Sequence, residues 1–205
     1  MAIVYTAELS PTKPELIATW LRAQPWFAEA GGDVELLGAF RLDDPDGEVG
    51  IEIHLVRGES GTVYQVALTY RGAPLDGAAA HLITEMSHSV LGDRWVYDAA
   101  GDPVALTQLL AAITTGGTQA EVFVDGATTP APVKLAVQGT GTAPQPPAEA
   151  ITEATVTTVG ADTRVATPAG TLVIHRIVTG LHEAPARLDA VAGFEGAPAT
   201  LVTLD

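Results

Sequence analysis

Residues 48–71 constrain the fold more than any other part of the chain. Across residues 48–57, Ile51, Ile53 and Leu55 alternate with Glu52 and His54. Across residues 62–71, Tyr64, Val66, Leu68 and Tyr70 alternate with Gln65 and Thr69. Successive side chains of a strand point to opposite faces, so a period of two marks a strand rather than a helix. Gly58-Glu59-Ser60-Gly61 joins the two runs as a hairpin turn. A third run, residues 34–42, precedes them and ends at Asp43-Asp44-Pro45-Asp46-Gly47, residues suited to a chain reversal. Together they predict an antiparallel meander with one apolar face and one solvated face.

Helices flank this meander. Pro14 suits a first helical turn, Leu16, Ile17, Trp20 and Leu21 share a face, and Pro25 stops the run, which predicts a helix over 14–24. Residues 76–91 are expected to be helical, closed by Gly92. A short strand is expected over 94–98. Asp102 then caps a helix that starts at Pro103, runs to about Thr115 and ends at Gly116-Gly117. Two further strands are expected over 119–124 and 133–138. The stretch GTGTAPQPPAEA, residues 139–150, is rich in Pro, Gly and Ala and has no periodicity, so it reads as a linker. Beyond it, β-branched runs at 155–159, 171–178 and 200–204 form a small β-rich unit. The organisation is therefore an α+β unit over 1–138, the linker over 139–150 and the β-rich unit over 151–205.

Charge and composition narrow the function. Ten Lys plus Arg stand against 25 Asp plus Glu, a formal net charge of −15. Such a chain repels phosphate backbones and anionic lipid, so neither nucleic acid nor a membrane is an expected partner. No apolar run approaches the ~20 residues that cross a bilayer, and no signal peptide is visible at the N-terminus. With no cysteine, disulfides, thiolate metal sites and cysteine nucleophiles are excluded, and the cytoplasm is the expected compartment.

Motifs for chemistry are incomplete. His81, Glu85 and His88 would stack on one face of a helix over 76–91, a spacing that suits a divalent metal. H-E-x-x-H is absent and no fourth ligand is identifiable, so the polar-face reading is preferred and no metal is expected. The acidic turn at 43–48 lacks the calcium-loop pattern. None of Ser10, Ser60, Ser87 and Ser89 lies in a G-x-S-x-G elbow, and no phosphate-binding glycine loop occurs. Trp20, Trp26, Phe27, Trp95 and Tyr97 sit beside apolar runs and read as packing anchors rather than a stacking platform.

One family shares several of these segments. Trp20-Leu21 with Gln24-Pro25-Trp26-Phe27, the run Tyr64 through Tyr70, His88-Ser89-Val90-Leu91-Gly92, Arg94-Trp95-Val96-Tyr97-Asp98-Ala99 and Asp102-Pro103 resemble the N-terminal cap domain of actinobacterial maltokinases, from Trp20 to about Gln119. The resemblance implies a cystatin-like cap, a helix packed on an antiparallel sheet, with no catalytic residue of its own. Residues 156–178 resemble the first strands of the kinase amino-terminal lobe, where His175 stands at the position of the phosphate-pairing lysine. An imidazole is a poor substitute for that fixed ammonium. No catalytic-loop Asp with its following Asn and no metal-binding Asp motif follows.

The chain is accordingly expected to be a non-enzymatic accessory or regulatory protein of maltose, trehalose or α-glucan metabolism. It would act by binding another protein or a second copy of itself, without a cofactor. The alternatives are a module that binds a sugar or sugar phosphate through Trp26, His88, Arg94 and Trp95, and a kinase-like component that needs a separate catalytic lobe.

Overall fold

The computed structural model describes residues 2–29, 33–148 and 151–205. Its elements, in chain order, are β1 (Ala2–Val4), β2 (Leu9–Ser10), α1 (Lys13–Arg22), β3 (Val34–Leu42), β4 (Gly50–Gly58), β5 (Val63–Arg71), β6 (Leu82–His88), β7 (Gly92–Asp98), α2 (Pro103–Thr115), β8 (Val122–Val124) and β9 (Ala136–Gly139). There follow β10 (Thr155–Val159), β11 (Asp162–Thr167), β12 (Gly170–His175), β13 (Ile177–Val178), β14 (Ala186–Ala192) and β15 (Ala199–Leu204). The α+β expectation holds.

The meander β3-β4-β5 forms one end of a seven-stranded sheet ordered β2-β6-β7-β5-β4-β3, with β13 paired to the start of β5. Register places Glu52 beside Leu68, His54 beside Val66 and Val56 beside Tyr64, so the polar positions of β4 share a face with the apolar positions of β5. Helix α1 covers that face. A capping box starts it: Thr12 and Glu15 exchange side-chain and backbone hydrogen bonds. Leu16, Ile17 and Leu21 are buried against Val56, Tyr64, Val66 and Leu68, each worth about 1.5–3 kcal/mol of apolar burial.

The opposite face, with Phe40, Leu42, Ile51, Ile53 and Leu55, joins a larger core with α2 and with Val165, Leu172, Ile174, Leu188 and Leu201. Those last residues belong to a six-stranded antiparallel sheet ordered β10-β11-β12-β15-β14-β9. Helix α2 meets β9, β14 and β15 as well as β3, so its apolar surface serves both sheets. The expectation of a solvated face is corrected here. Glu52, His54, Gln65 and Thr69 are all buried, because both sides of the meander are covered.

The expected helix over 76–91 is also overturned. A short 3₁₀ turn at Ala79–His81 leads into strand β6, and Gly92, at φ 76°, begins β7 instead of capping a helix. The β6–β7 hairpin pairs Thr84 with Val96, Glu85 with Trp95 and Met86 with Arg94. Its turn is closed by His88, whose Nδ1 accepts hydrogen bonds from the backbone N–H groups of Val90 and Leu91. A partner strand this near in sequence, with β-branched Ile83 and Thr84 on the pleat, outweighs a weak helical period. Strands β11 and β14 carry no clear alternation and were not expected from the sequence. The segments expected over 119–124 and 133–138 form shorter strands, β8 and β9.

Strand β9 precedes the Pro/Gly-rich stretch and pairs with β14, which follows it. The start of that stretch runs along the end of α2: Gly141 donates to the Ile113 carbonyl, and Ala143 to that of Thr114. A Cβ at Gly141 would collide with the carbonyl oxygens of Thr114 and Ile113. Backbone cannot yield as a flexible side chain does, so Gly141→Val is expected to destabilise the protein by about 1–3 kcal/mol. Urea unfolding beside Thr142→Val, at an exposed neighbour, checks this; equal midpoints for the two variants would refute it.

Candidate functional site

Helix α1 lies over its sheet face with its ends in different surroundings. At its C-terminal end, Trp20 meets Trp26 edge-on at 5.8 Å, and Trp26 and Phe27 pack on Tyr64. At its N-terminal end, Lys13 reaches a buried carboxylate, Glu52, and lies 5.5 Å from the Tyr70 ring centroid. Arg41 stands 3.6 Å from Glu52 Oε1, and His54 Nε2 stands 3.3 Å from Glu52 Oε2. Burial by itself would raise the Glu52 carboxyl. Its interactions with His54, then with Lys13 and Arg41, overcome it and hold the group well below the usual carboxylate range. Burial, then the Glu52 charge, push the Tyr70 phenol well above its usual value, so it stays protonated.

Beside this network the sheet end opens into a cleft of about 500 Å³. Lys13, Arg41, Tyr70, His88 and Arg94 contribute to its lining, as do Asp43, Asp44 and Glu48 of the β3–β4 turn. Strand β1 and Leu9 of β2 complete it, with Met86 and Leu91 from the β6–β7 hairpin. Asp44 is already engaged, its carboxylate accepting from the backbone N–H groups of Asp46, Glu48 and Val49. Burial first, then the Arg94 charge, lower the His88 pKa. Tyr5 meets the His88 ring edge-on at 6.3 Å.

Of the four residues singled out from the sequence, His88 and Arg94 share this cleft. Trp26 does not: it packs at the Tyr64 end of β5, and the six residues from there to Tyr70 span about 20 Å of strand. Trp95 follows Arg94 in β7 and so turns to the other face of the sheet, beside Arg71 and Glu85. His81, Glu85 and His88 are separated as well. His81 sits in the 3₁₀ turn against Gly101, and Glu85 and His88 occupy opposite faces of β6. Among the described residues no cluster of three or more His, Asp or Glu is placed to hold a metal. Sequence reasoning missed Lys13, Arg41 and Tyr70, which lie far apart in the chain. The sequence signal was the polar pair Glu52 and His54 alternating with Ile51, Ile53 and Leu55 in β4.

His175, set by the resemblance against a phosphate-pairing lysine, is 5% exposed and does not line this cleft. Its Nδ1 lies 2.9 Å from Asp162, and its ring stacks on His182 at 4.1 Å. Burial lowers its pKa, opposed by the Asp162 hydrogen bond. A folded pKa below the unfolded value of about 6.5 means that the unfolded chain binds the proton first. Stability present above that value is therefore lost as pH falls through the folded value. The thermal midpoint is expected to drop on acidification from about pH 7.5 to about pH 5.5, and His175→Gln to flatten the drop. An undiminished slope in the variant would assign the loss to other groups.

Residues 20–102 match the family model of the maltokinase N-terminal cap domain. The match covers less than half of the chain, from within α1 to the N-cap of α2. It thus takes in the meander and the β6–β7 hairpin and stops short of the Gln119 limit expected from the sequence. No curated protein matches the chain.

Proposed function

From the cap-domain match over residues 20–102, we propose that this protein is a non-catalytic accessory or regulatory component of maltose, trehalose or α-glucan metabolism. It acts by association with another protein chain or with its own twin. The observation that carries this reading is the match itself, because a cap domain brings pathway context without catalytic groups. His175 supports the non-catalytic part: its ring is committed to Asp162 and His182, and it lacks the fixed positive charge that nucleotide phosphates require.

An edge strand supports association. Strand β3 pairs only with β4 in its sheet; its Arg41 carbonyl accepts from the Ala120 N–H, which leaves the Val34–Leu36 end as the open part, and Leu36 there is 42% exposed. The backbone groups of such an edge can accept an added strand from a partner. Light scattering across a concentration series, with capture experiments using wild-type and Leu36→Pro protein, tests the reading. Self-association or a specific partner that the substitution abolishes is the expected result. A chain that stays monomeric and captures nothing counts against it. Calorimetric heat on addition of Mg·ATP would overturn the non-catalytic part.

A further inference from the structure

Along their hydrogen-bonded paths the two large sheets end on β2, β3, β9 and β10. Strand β2 has only two residues, too short to template a partner. Strand β9 is covered on its outer side: Gly139 donates to the Gly117 carbonyl, Val137 donates to the Gln119 side chain, and Gln138 bridges to Thr118. Strand β3 is open over residues 34–36, where the Glu35 side chain is 67% exposed. Strand β10 differs from all three. It joins β11 in unbroken register, from Thr155 opposite Ala166 to Val159 opposite Asp162, and among the described residues no backbone hydrogen bond from any other segment reaches it. Residues of an antiparallel pair turn their N–H and C=O groups to alternate sides, so those facing away from β11 are open. Thr155, Thr157, Thr158 and Val159 are all exposed.

The sequence of β10, Thr-Val-Thr-Thr-Val, holds none of the devices that keep a natural edge unpaired: it has no charge, no proline and no bulge. In a chain of net charge −15 that neutrality selects the occupant. A strand of either sign finds nothing in β10 to pair its charges with. A second copy laid antiparallel about Thr157 sets Val156 against Thr158 and Thr155 against Val159, so no like charges stand opposite each other. Thr157 meets Thr157 of the twin, a cross-strand pair that sheets favour. A twin at the open end of β3 would instead bring two Glu35 carboxylates together. The five residues of β10 fall well short of the ~20–30 a side of a standard interface, so the pairing is transient.

We propose that two copies of this protein pair reversibly through β10, antiparallel about a two-fold axis at Thr157, and so join their six-stranded sheets into one. This surface is separate from the β3 edge offered above to a partner chain, so either can fail alone. Sedimentation velocity on the full chain, from about 1 µM to about 1 mM, tests it, with a dimer of Kd on the order of 100 µM expected. Added salt is expected to tighten the dimer, because it screens the repulsion between two acidic chains. In Thr157→Glu the new carboxylate lies opposite Arg164 of β11, a favourable cross-strand pair that keeps the hairpin folded. Across the axis two carboxylates then meet, and the dimer weakens at least about tenfold. Thr157→Lys by itself has the same effect, and an equimolar mixture of the two variants is expected to restore association, which misfolding cannot imitate. A chain that stays monomeric throughout the range overturns the proposal. So does a dimer that Thr157→Glu leaves intact, or one that the mixture fails to restore. A dimer abolished by Leu36→Pro and untouched by Thr157→Glu also overturns it, while leaving the association reading in place.

Discussion

Replacing Arg176 with methionine is expected to lower the unfolding free energy by about 3–5 kcal/mol, the range for breaking a buried ion pair by removing one partner. Arg176 is 1% exposed. Its Nη2 donates to both oxygens of Asp98 at 2.8 and 2.6 Å, its Nε donates to Thr163, and its guanidinium lies 5.2 Å from the Trp20 ring centroid. It therefore ties the segment between β12 and β13 to the end of β7 and to α1. Methionine keeps most of the volume but leaves the Asp98 carboxylate without its counter-charge in a site with little water. The double variant Arg176→Met with Asp98→Asn separates charge from packing. Asparagine keeps an acceptor for the Ala100 N–H, now bonded to Asp98, and removes the stranded charge. The double variant is expected to be more stable than Arg176→Met alone in urea unfolding. If Arg176→Met costs less than about 1 kcal/mol, a figure typical of exposed pairs, the guanidinium is not the tie described.

The second large effect is expected at Asp102, which is fully buried. Its Oδ1 accepts from the Val104 N–H and from Arg71 Nη2, and its Oδ2 accepts from Arg71 Nε. One carboxylate thus caps α2 and neutralises an arginine of β5. Loss of the cap alone costs about 0.5–2 kcal/mol, and each hydrogen bond to a charged group about 1.5–3 kcal/mol. Asp102→Ala is expected to cost about 3–5 kcal/mol, in the range for breaking a buried pair, and Asp102→Asn less, since the amide oxygen can still cap. Because α2 packs against both sheets, the loss should appear as one cooperative transition at lower denaturant, read by circular dichroism and by tryptophan fluorescence. Equal stability of the alanine and asparagine variants would remove the cap from the explanation.

Both residues show how unevenly structure is written into sequence. The Asp102-Pro103 start and Gly116 end of α2 were legible because capping is chemistry between residues a few positions apart. The meander was legible because a period of two leaves no helical alternative over residues 48–57 and 62–71. Residues 76–91 were misread for the complementary reason. Their own period was weak, and the partner that makes Leu82–His88 a strand lies in β7, across a turn whose closure depends on the His88 side chain. The candidate cleft was half legible: His88 and Arg94 come from the segment the family resemblance singles out. Lys13 and Arg41 arrive from α1 and β3 only through packing.

By itself, the sequence determined the α+β class, the antiparallel meander, both helices and the cap-domain match. Each of these rests on local periodicity, on short-range capping or on a contiguous segment. Only the tertiary structure decided that the polar positions of β4 and β5 would be buried. The sign of a residue's exposure depends on what covers its face, and α1, α2 and the second sheet come from distant parts of the chain. The same holds for the Glu52 network and the Arg176–Asp98 pair, whose members are brought together by long-range contacts that no local pattern encodes.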